Sequence, residues 1–254
     1  VTPRERIVAA VRNRSDTGRP ALVAYLTAGF PTRERFRELL TTIAEAADVV
    51  EVGVPFTDPM ADGVTVQRAS EQALRNGVTL QWIIEELKAV GRLRTPLLLM
   101  SYLNPLLSFG LQRLATDALR AGVCGFIVPD LPFDESEEFR AAIAPASLAL
   151  VQMVTPVTPP ERLQKVAAAS QGFVYAVTMT GTTGQNVAAS APIGDYLARI
   201  RAAASVPVCA GFGIRSREQV QALKGQADGV IVGSALVEVL ERGEPPGQWL
   251  AGLR

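Results

Sequence analysis

One acidic residue stands inside an otherwise apolar, β-branched run, Glu51 in Val49-Val50-Glu51-Val52-Gly53-Val54. A run of this kind reads as a strand covered on both faces. An ionised carboxylate there costs several kcal/mol unless it is paired or protonated. The run contains no lysine, arginine or histidine. Two readings follow: an ion pair with an arginine from another strand, or a carboxyl whose raised pKa lets it give and take a proton near neutrality. Asp62 follows eleven positions later, at the end of the loop Pro55-Phe56-Thr57-Asp58-Pro59-Met60-Ala61-Asp62-Gly63. That loop is long for a strand-to-helix connection and long enough to fold back over Glu51. Two carboxyls in different surroundings can divide acid–base work from electrostatic stabilisation, although Asp62-Gly63 alone would also suit a plain turn.

A second group of residues suits an anion. Gly211-Phe212-Gly213 and Gly233-Ser234 each close an apolar run, and the latter opens a helix near Ala235–Leu240. Glycines let backbone N–H groups approach a ligand, and a helix N-terminus favours negative charge. Thr180-Gly181-Thr182-Thr183-Gly184 has the hydroxyls and glycines of a closing lid. Each cluster could be an ordinary turn; three at neighbouring strand ends point to phosphate.

Composition removes the competitors. The 254 residues include no histidine, which excludes His-dependent triads and His-ligated metal sites. Lys88, Lys165 and Lys224, the only lysines, fall in helical stretches, which disfavours imine chemistry. The two cysteines, Cys124 and Cys209, lie in apolar stretches and suit reduced thiols in a cytoplasmic protein. With 25 basic and 25 acidic side chains, the chain has no charge footprint for nucleic acid or an anionic membrane. The start Val1-Thr2-Pro3-Arg4 does not read as a signal peptide, and no apolar run is long enough for a membrane span. What remains is proton-transfer chemistry on a small phosphorylated substrate, without a metal. Carbon–carbon cleavage fits if the substrate supplies its own electron sink, as an indole ring does when protonated at C3.

These residues need a scaffold that brings strand ends together. Apolar runs at Leu22–Thr27, Val49–Val54, Leu97–Tyr102, Gly125–Val128, Leu148–Val154, Phe173–Thr178, Val206–Ala210 and Gly229–Val232 read as parallel strands. Amphipathic stretches separate them; Phe36, Leu39, Leu40 and Ile43 make one apolar stripe. Thr2, Thr158 and Ser216 each read as an N-cap with Glu5, Glu161 or Gln219 three positions on. Asn76-Gly77 and Gly122 read as helix stops. The pattern predicts an α/β (β/α)₈ TIM barrel, one domain over 1–254. An extra N-terminal helix near Pro3–Val11 would cover the barrel bottom. An open doubly wound sheet is the weaker alternative. In the barrel, Glu51, Asp62 and the glycine clusters all fall at the C-terminal strand ends, where barrel enzymes keep their chemistry.

The stretch from Val50 to Gly63 resembles the signature of the tryptophan synthase alpha chain family. Tyr102-Leu103-Asn104-Pro105, Val128-Pro129-Asp130-Leu131-Pro132, Tyr175, Gly181-Thr182-Thr183-Gly184, Gly211-Phe212-Gly213-Ile214 and Gly233-Ser234 are similar to that family in order and spacing. The resemblance covers nearly the whole chain. It implies a carbon–carbon lyase that cleaves indole-3-glycerol phosphate to indole and glyceraldehyde 3-phosphate in tryptophan biosynthesis. It implies Glu51 as the acid–base group, Asp62 as acceptor of the indole N–H, and Thr183 as the lid residue that orients Asp62. Tyr175 would hydrogen-bond near the glycerol or Glu51, Phe212 and Tyr25 would wall the ring pocket, and Gly184, Gly213, Gly233 and Ser234 would bind phosphate. It further implies a tryptophan synthase beta chain as partner, met by Asp58-Pro59 and by an Asn104-Pro105 turn; pyridoxal phosphate would belong to that partner, leaving none in this chain. The lid has Thr182 where the family usually has valine, Gln185-Asn186 is unusual, and Gly29-Phe30-Pro31 replaces a commoner Gly-Asp-Pro. Three other functions compete on sequence alone: another phosphate-binding barrel enzyme, a free-standing indole-releasing lyase, and a catalytically silent partner-binding subunit.

Overall fold

Eight parallel strands close into a ring: β1 (Ala21–Thr27), β2 (Val49–Gly53), β3 (Leu97–Met100), β4 (Val123–Ile127), β5 (Ala149–Val154), β6 (Val174–Val177), β7 (Val208–Gly211) and β8 (Gly229–Val232). Each pairs with the next, and β8 returns to β1. The computed structural model describes residues 1–178, 193–211 and 213–254. Helix α1 (Pro3–Ser15) precedes the barrel, and α2 (Phe36–Ala46) links β1 to β2. Two helices, α3 (Val64–Arg75) and α4 (Leu80–Val90), lie between β2 and β3. Another two, α5 (Leu103–Phe109) and α6 (Leu111–Arg120), lie between β3 and β4. There follow α7 (Glu137–Ile143), α8 (Pro160–Ala169), α9 (Ile193–Ala203) and α10 (Arg217–Ala222), one in each later connection, then α11 (Ser234–Glu241) and α12 (Pro246–Gly252) after β8. The ring is a (β/α)₈ barrel, as its run of apolar strands predicts, and the open sheet is excluded by the β8–β1 pairing.

The apolar runs are continuous because the two sides of each strand face different cores. Val23, Val49, Leu98, Val151, Phe173, Cys209 and Ile231 pack inside the barrel. Leu22, Val50, Leu99, Phe126, Leu150 and Val232 pack outward against the helices. The stripe on α2 is buried as its spacing requires, with Phe36, Leu40 and Ile43 fully enclosed.

The extra helix closes the lower end. Ile7 and Val11 of α1 belong to the inner core. The Arg6 guanidinium donates to the Leu93 and Arg94 carbonyls just before β3, at 2.8 and 3.0 Å, and Arg12 donates to the Ser205 carbonyl before β7 at 3.0 Å. The helix runs on to Ser15, four residues past the expected end.

Local punctuation holds at most of the expected places. Thr2 with Glu5 and Ser216 with Gln219 form full capping boxes, and Gly77 and Gly122 take positive φ just past helix ends. Thr158 does not cap α8. The helix starts at Pro160 with Pro159 as its N-cap, one residue later than the pattern implies, and the Thr158 hydroxyl instead accepts from the Thr155 N–H at 2.9 Å. Strand β3 stops at Met100 rather than Tyr102, because Tyr102 is already the N-cap of α5. Strand β4 starts two residues early, at Val123. Strand β7 begins at Val208, after Pro207, which cannot donate to a ladder.

Two strand glycines make room for inward tyrosines. A Cβ at Gly53 would overlap the Tyr25 hydroxyl, and one at Gly211 would lie 2.7 Å from Tyr175 Cε1. Replacing Gly211 by alanine therefore forces the Tyr175 ring out of place. The expected cost is about 1–3 kcal/mol of stability, measurable by urea denaturation; an unchanged midpoint would show that the ring has free space elsewhere.

Candidate active site

The upper barrel rim gathers the residues that the sequence singled out. One cavity there is lined by Glu51, Asp62, Tyr25 and Tyr175 together with Gly213, Gly233 and Ser234. Strand register explains the first group: Tyr25 on β1 is level with Glu51 on β2. Val66, Met100, Met153, Val177 and Ile231 supply apolar wall.

Glu51 is 1% exposed, and no salt bridge reaches it among the described residues. Its Oε1 is the only fully buried side-chain polar atom without a hydrogen-bond partner among those residues. The ion-pair reading is thus not realised there. Burial alone pushes the carboxyl up to about 8 from 4.5, so the group is mostly neutral at pH 7 and titrates close to it.

Asp62 sits at the end of its loop, held on several sides. Its N–H donates to the Pro59 carbonyl at 3.0 Å, and Gln67 Nε2 donates to its carbonyl at 2.9 Å. The Tyr102 hydroxyl donates to Asp62 Oδ2 at 3.1 Å while accepting from the Ala61 N–H at 2.9 Å. Desolvation raises this carboxyl to about 6, the tyrosine bond opposing the rise. Tyr102 also stacks on Phe56 at 5.0 Å between centroids, which fixes the loop against the start of α5. Sequence reasoning missed this tyrosine as a functional side chain. The available signal was an aromatic with a polar tip at the C-terminal end of a barrel strand.

The tyrosines differ in their ties. The Tyr25 hydroxyl shares a hydrogen bond with Thr27 Oγ1 at 3.1 Å, and burial raises its pKa. Tyr175 is held well above its ordinary pKa, first by burial and then by the Glu51 charge. Both remain neutral donors at any working pH.

Gly213, on the same cavity, takes φ +62, and no described residue comes within 4 Å of where a Cβ would stand. Gly233 is the N-cap of α11, and Ser234 is its first residue. Their backbone groups and the helix N-terminus suit an anion. Thr183, Gly184 and Phe212 lie outside the described residues.

Asp58 and Asn104 are exposed, while Pro59 and Pro105 are half-buried. Asn104 and Pro105 do not form a turn; they occupy the first helical turn of α5, where proline loses no intrahelical bond. The N-terminus of α5 is capped by Asp130, whose Oδ1 accepts from the Leu103 N–H at 2.9 Å. No helix among the described residues is long and apolar enough to cross a membrane.

The sequence profile of the family described as "Tryptophan synthase alpha chain" matches residues 11–249. A tryptophan synthase alpha chain of Nitratidesulfovibrio vulgaris is 47% identical over 94% of this chain and 93% of its own length. One from Bacillus mycoides is 43% identical over 93% of this chain and 91% of its own. A structure of Mycobacterium tuberculosis tryptophan synthase superposes with a TM-score of 0.89 at 37% identity, covering 98% of this chain and 96% of that one. The tryptophan synthase alpha subunit of Campylobacter jejuni gives 0.83 at 30% identity, covering 93% and 96%.

The raised carboxyl has a thermodynamic signature. Unfolded, Glu51 ionises near 4.5; folded, near 8. Between those values the folded state holds the extra proton, so stability falls as pH rises and levels off above 8. Glu51→Gln removes this dependence. Its stability relative to the parent should climb from pH 4.5 to 8 by an amount on the order of 4 kcal/mol, read from denaturant midpoints across pH. A flat difference would mean that the carboxyl is ionised and solvated in the folded protein.

Proposed function

The chain belongs to the tryptophan synthase alpha chain family and is a carbon–carbon lyase that cleaves indole-3-glycerol phosphate to indole and glyceraldehyde 3-phosphate; we propose that Glu51 and Asp62 share the proton chemistry of that cleavage. The observation that carries this reading is that buried Glu51 has no partner for Oε1 among the described residues and lines the same cavity as Asp62.

As a neutral acid, Glu51 gives its proton to indole C3. The ring nitrogen then bears positive charge, and the bond from C3 to the glycerol carbon can break with its electron pair returning to the ring. The Glu51 carboxylate takes the proton from the hydroxyl on the departing carbon, which becomes the aldehyde of glyceraldehyde 3-phosphate. One proton is given and one recovered, so the residue is reset. Asp62 accepts the indole N–H and stabilises the cationic ring through its negative charge; its value of about 6 leaves it largely ionised at pH 7. Tyr102 would hold one Asp62 oxygen, leaving the other for the ring. Tyr175 would donate near the glycerol hydroxyls, and Tyr25 and Phe212 would wall the ring. Gly213, Gly233 and Ser234, with Gly184, would hold phosphate, and Thr183 would orient Asp62 from the lid.

A beta chain is the natural partner. Asp58-Pro59 and Asn104-Pro105 would meet it on one continuous surface, since Phe56 and Tyr102 join their two segments. Met60, 77% exposed, and Leu107, 47% exposed, add apolar contact area beside them. Pyridoxal phosphate would reside on that partner.

Activity requires Asp62 ionised and Glu51 protonated. Indole release from indole-3-glycerol phosphate should therefore show kcat/KM rising with pH through about 6 and falling above about 8. Glu51→Gln should lose at least ~100-fold in kcat, and Asp62→Asn should lose mainly kcat rather than affinity. Normal turnover in Glu51→Gln would remove the glutamate from the mechanism. Met60→Asp should weaken stimulation by a beta chain without altering the rate of the isolated chain; equal stimulation would move the contact elsewhere.

A further inference from the structure

The two halves of the anion cradle come from different strands. Gly213 lies in the loop after β7, whereas Gly233 and Ser234 lie at the start of α11 after β8. Among the described residues, the cavity lining includes no basic side chain that could pull the two halves together around a phosphate. Their spacing must be set from outside the cavity.

Glu238 is placed to do this. It stands four positions after Ser234 on α11, one turn along the same helix face. Its two oxygens accept from Arg215, two residues beyond Gly213: Nη1 to Oε2 at 2.6 Å and Nη2 to Oε1 at 2.9 Å. A two-pronged guanidinium–carboxylate pair fixes orientation as well as distance. Oε1 also accepts from the Thr65 hydroxyl at 3.4 Å, and Thr65 lies in the first turn of α3, three residues beyond Asp62. Helices α3 and α11 pack directly on each other. The Glu238 side chain is 25% exposed and Arg215 49%, and the pair holds the carboxyl below its ordinary pKa. On its other side the Arg215 segment is fixed by the α10 cap: the Arg215 and Ser216 N–H groups both donate to Gln219 Oε1, at 2.6 and 3.2 Å.

We propose that Glu238 is a positioning residue for the reaction: through Arg215 it sets the distance between the Gly213 loop and the α11 N-terminus, and through Thr65 it ties that cradle to the segment carrying Asp62. The inference rests on the reading of Gly213, Gly233 and Ser234 as the phosphate cradle. A loosened clamp lets the two sets of backbone N–H groups drift apart. Substrate is then held less tightly at its phosphate while the proton chemistry at Glu51 is untouched.

The test compares steady-state kinetics of the full chain with inorganic phosphate and indole as separate inhibitors. In Glu238→Gln and Arg215→Met, KM for indole-3-glycerol phosphate and Ki for phosphate should both rise roughly tenfold, with kcat within about twofold and Ki for indole unchanged. The exchanged pair, Arg215→Glu with Glu238→Arg, should recover at least half of the lost phosphate affinity. Equal weakening of indole and phosphate, loss of kcat alone, or failure of the exchanged pair to recover affinity would each overturn the clamp. Ser234→Asp separates the two levels, since it puts negative charge into the cradle itself. If it abolishes phosphate inhibition while Glu238→Gln behaves as the parent, the clamp fails and the cradle stands. If phosphate inhibits Ser234→Asp as it does the parent, the cradle fails and takes the clamp with it.

Discussion

Desolvation of one carboxyl governs the rest. Glu51 is enclosed without a countercharge or a partner for Oε1 among the described residues, and this lifts its proton affinity into the physiological range. An arginine beside it would have stabilised the fold and removed the acid. The barrel supplies the required surroundings cheaply, because its strands are screened by side chains within and helices without. The second carboxyl keeps a tyrosine hydroxyl and part of its solvent, so it ionises earlier. Two groups of the same chemical type thus hold opposite protonation states over a window centred on neutrality.

On the reading proposed for Gly213, Gly233 and Ser234, phosphate would be held by backbone rather than by charged side chains. Dipoles of N–H groups and a helix terminus would attract it without bringing a cation near Glu51, where a positive charge would lower the very pKa that desolvation raises. Arg215 fits this economy: its charge is matched by Glu238.

Much of the barrel was legible because parallel strands screened on both sides leave uninterrupted apolar runs, and Glu51 stood out as the violation of that pattern. Asp62 was legible only through its distance from Glu51. Tyr102 was not, since its part in the site depends on a loop returning to meet it. The Arg215–Glu238 pair was equally hidden: two half-exposed charges on separate elements look like ordinary solvated surface until the fold brings them together. Thr158 shows the opposite error, a capping pattern correct in residue type but empty because the helix starts one residue further on, with Pro159 at its N-cap. Strand ends slipped by one or two residues wherever a cap or a proline overrode apolar continuity, as at Tyr102 and Pro207.

The helix across the barrel floor has a consequence for how the chain assembles. Arg6 and Arg12 reach carbonyls 87 and 193 positions further along, and Ile7 belongs to the same inner core as Val23 of β1 and Ile231 of β8. The helix touches β1, β2 and β4 and is tied by Arg12 to the turn before β7, so its full seating needs both halves of the barrel in place and it braces one against the other.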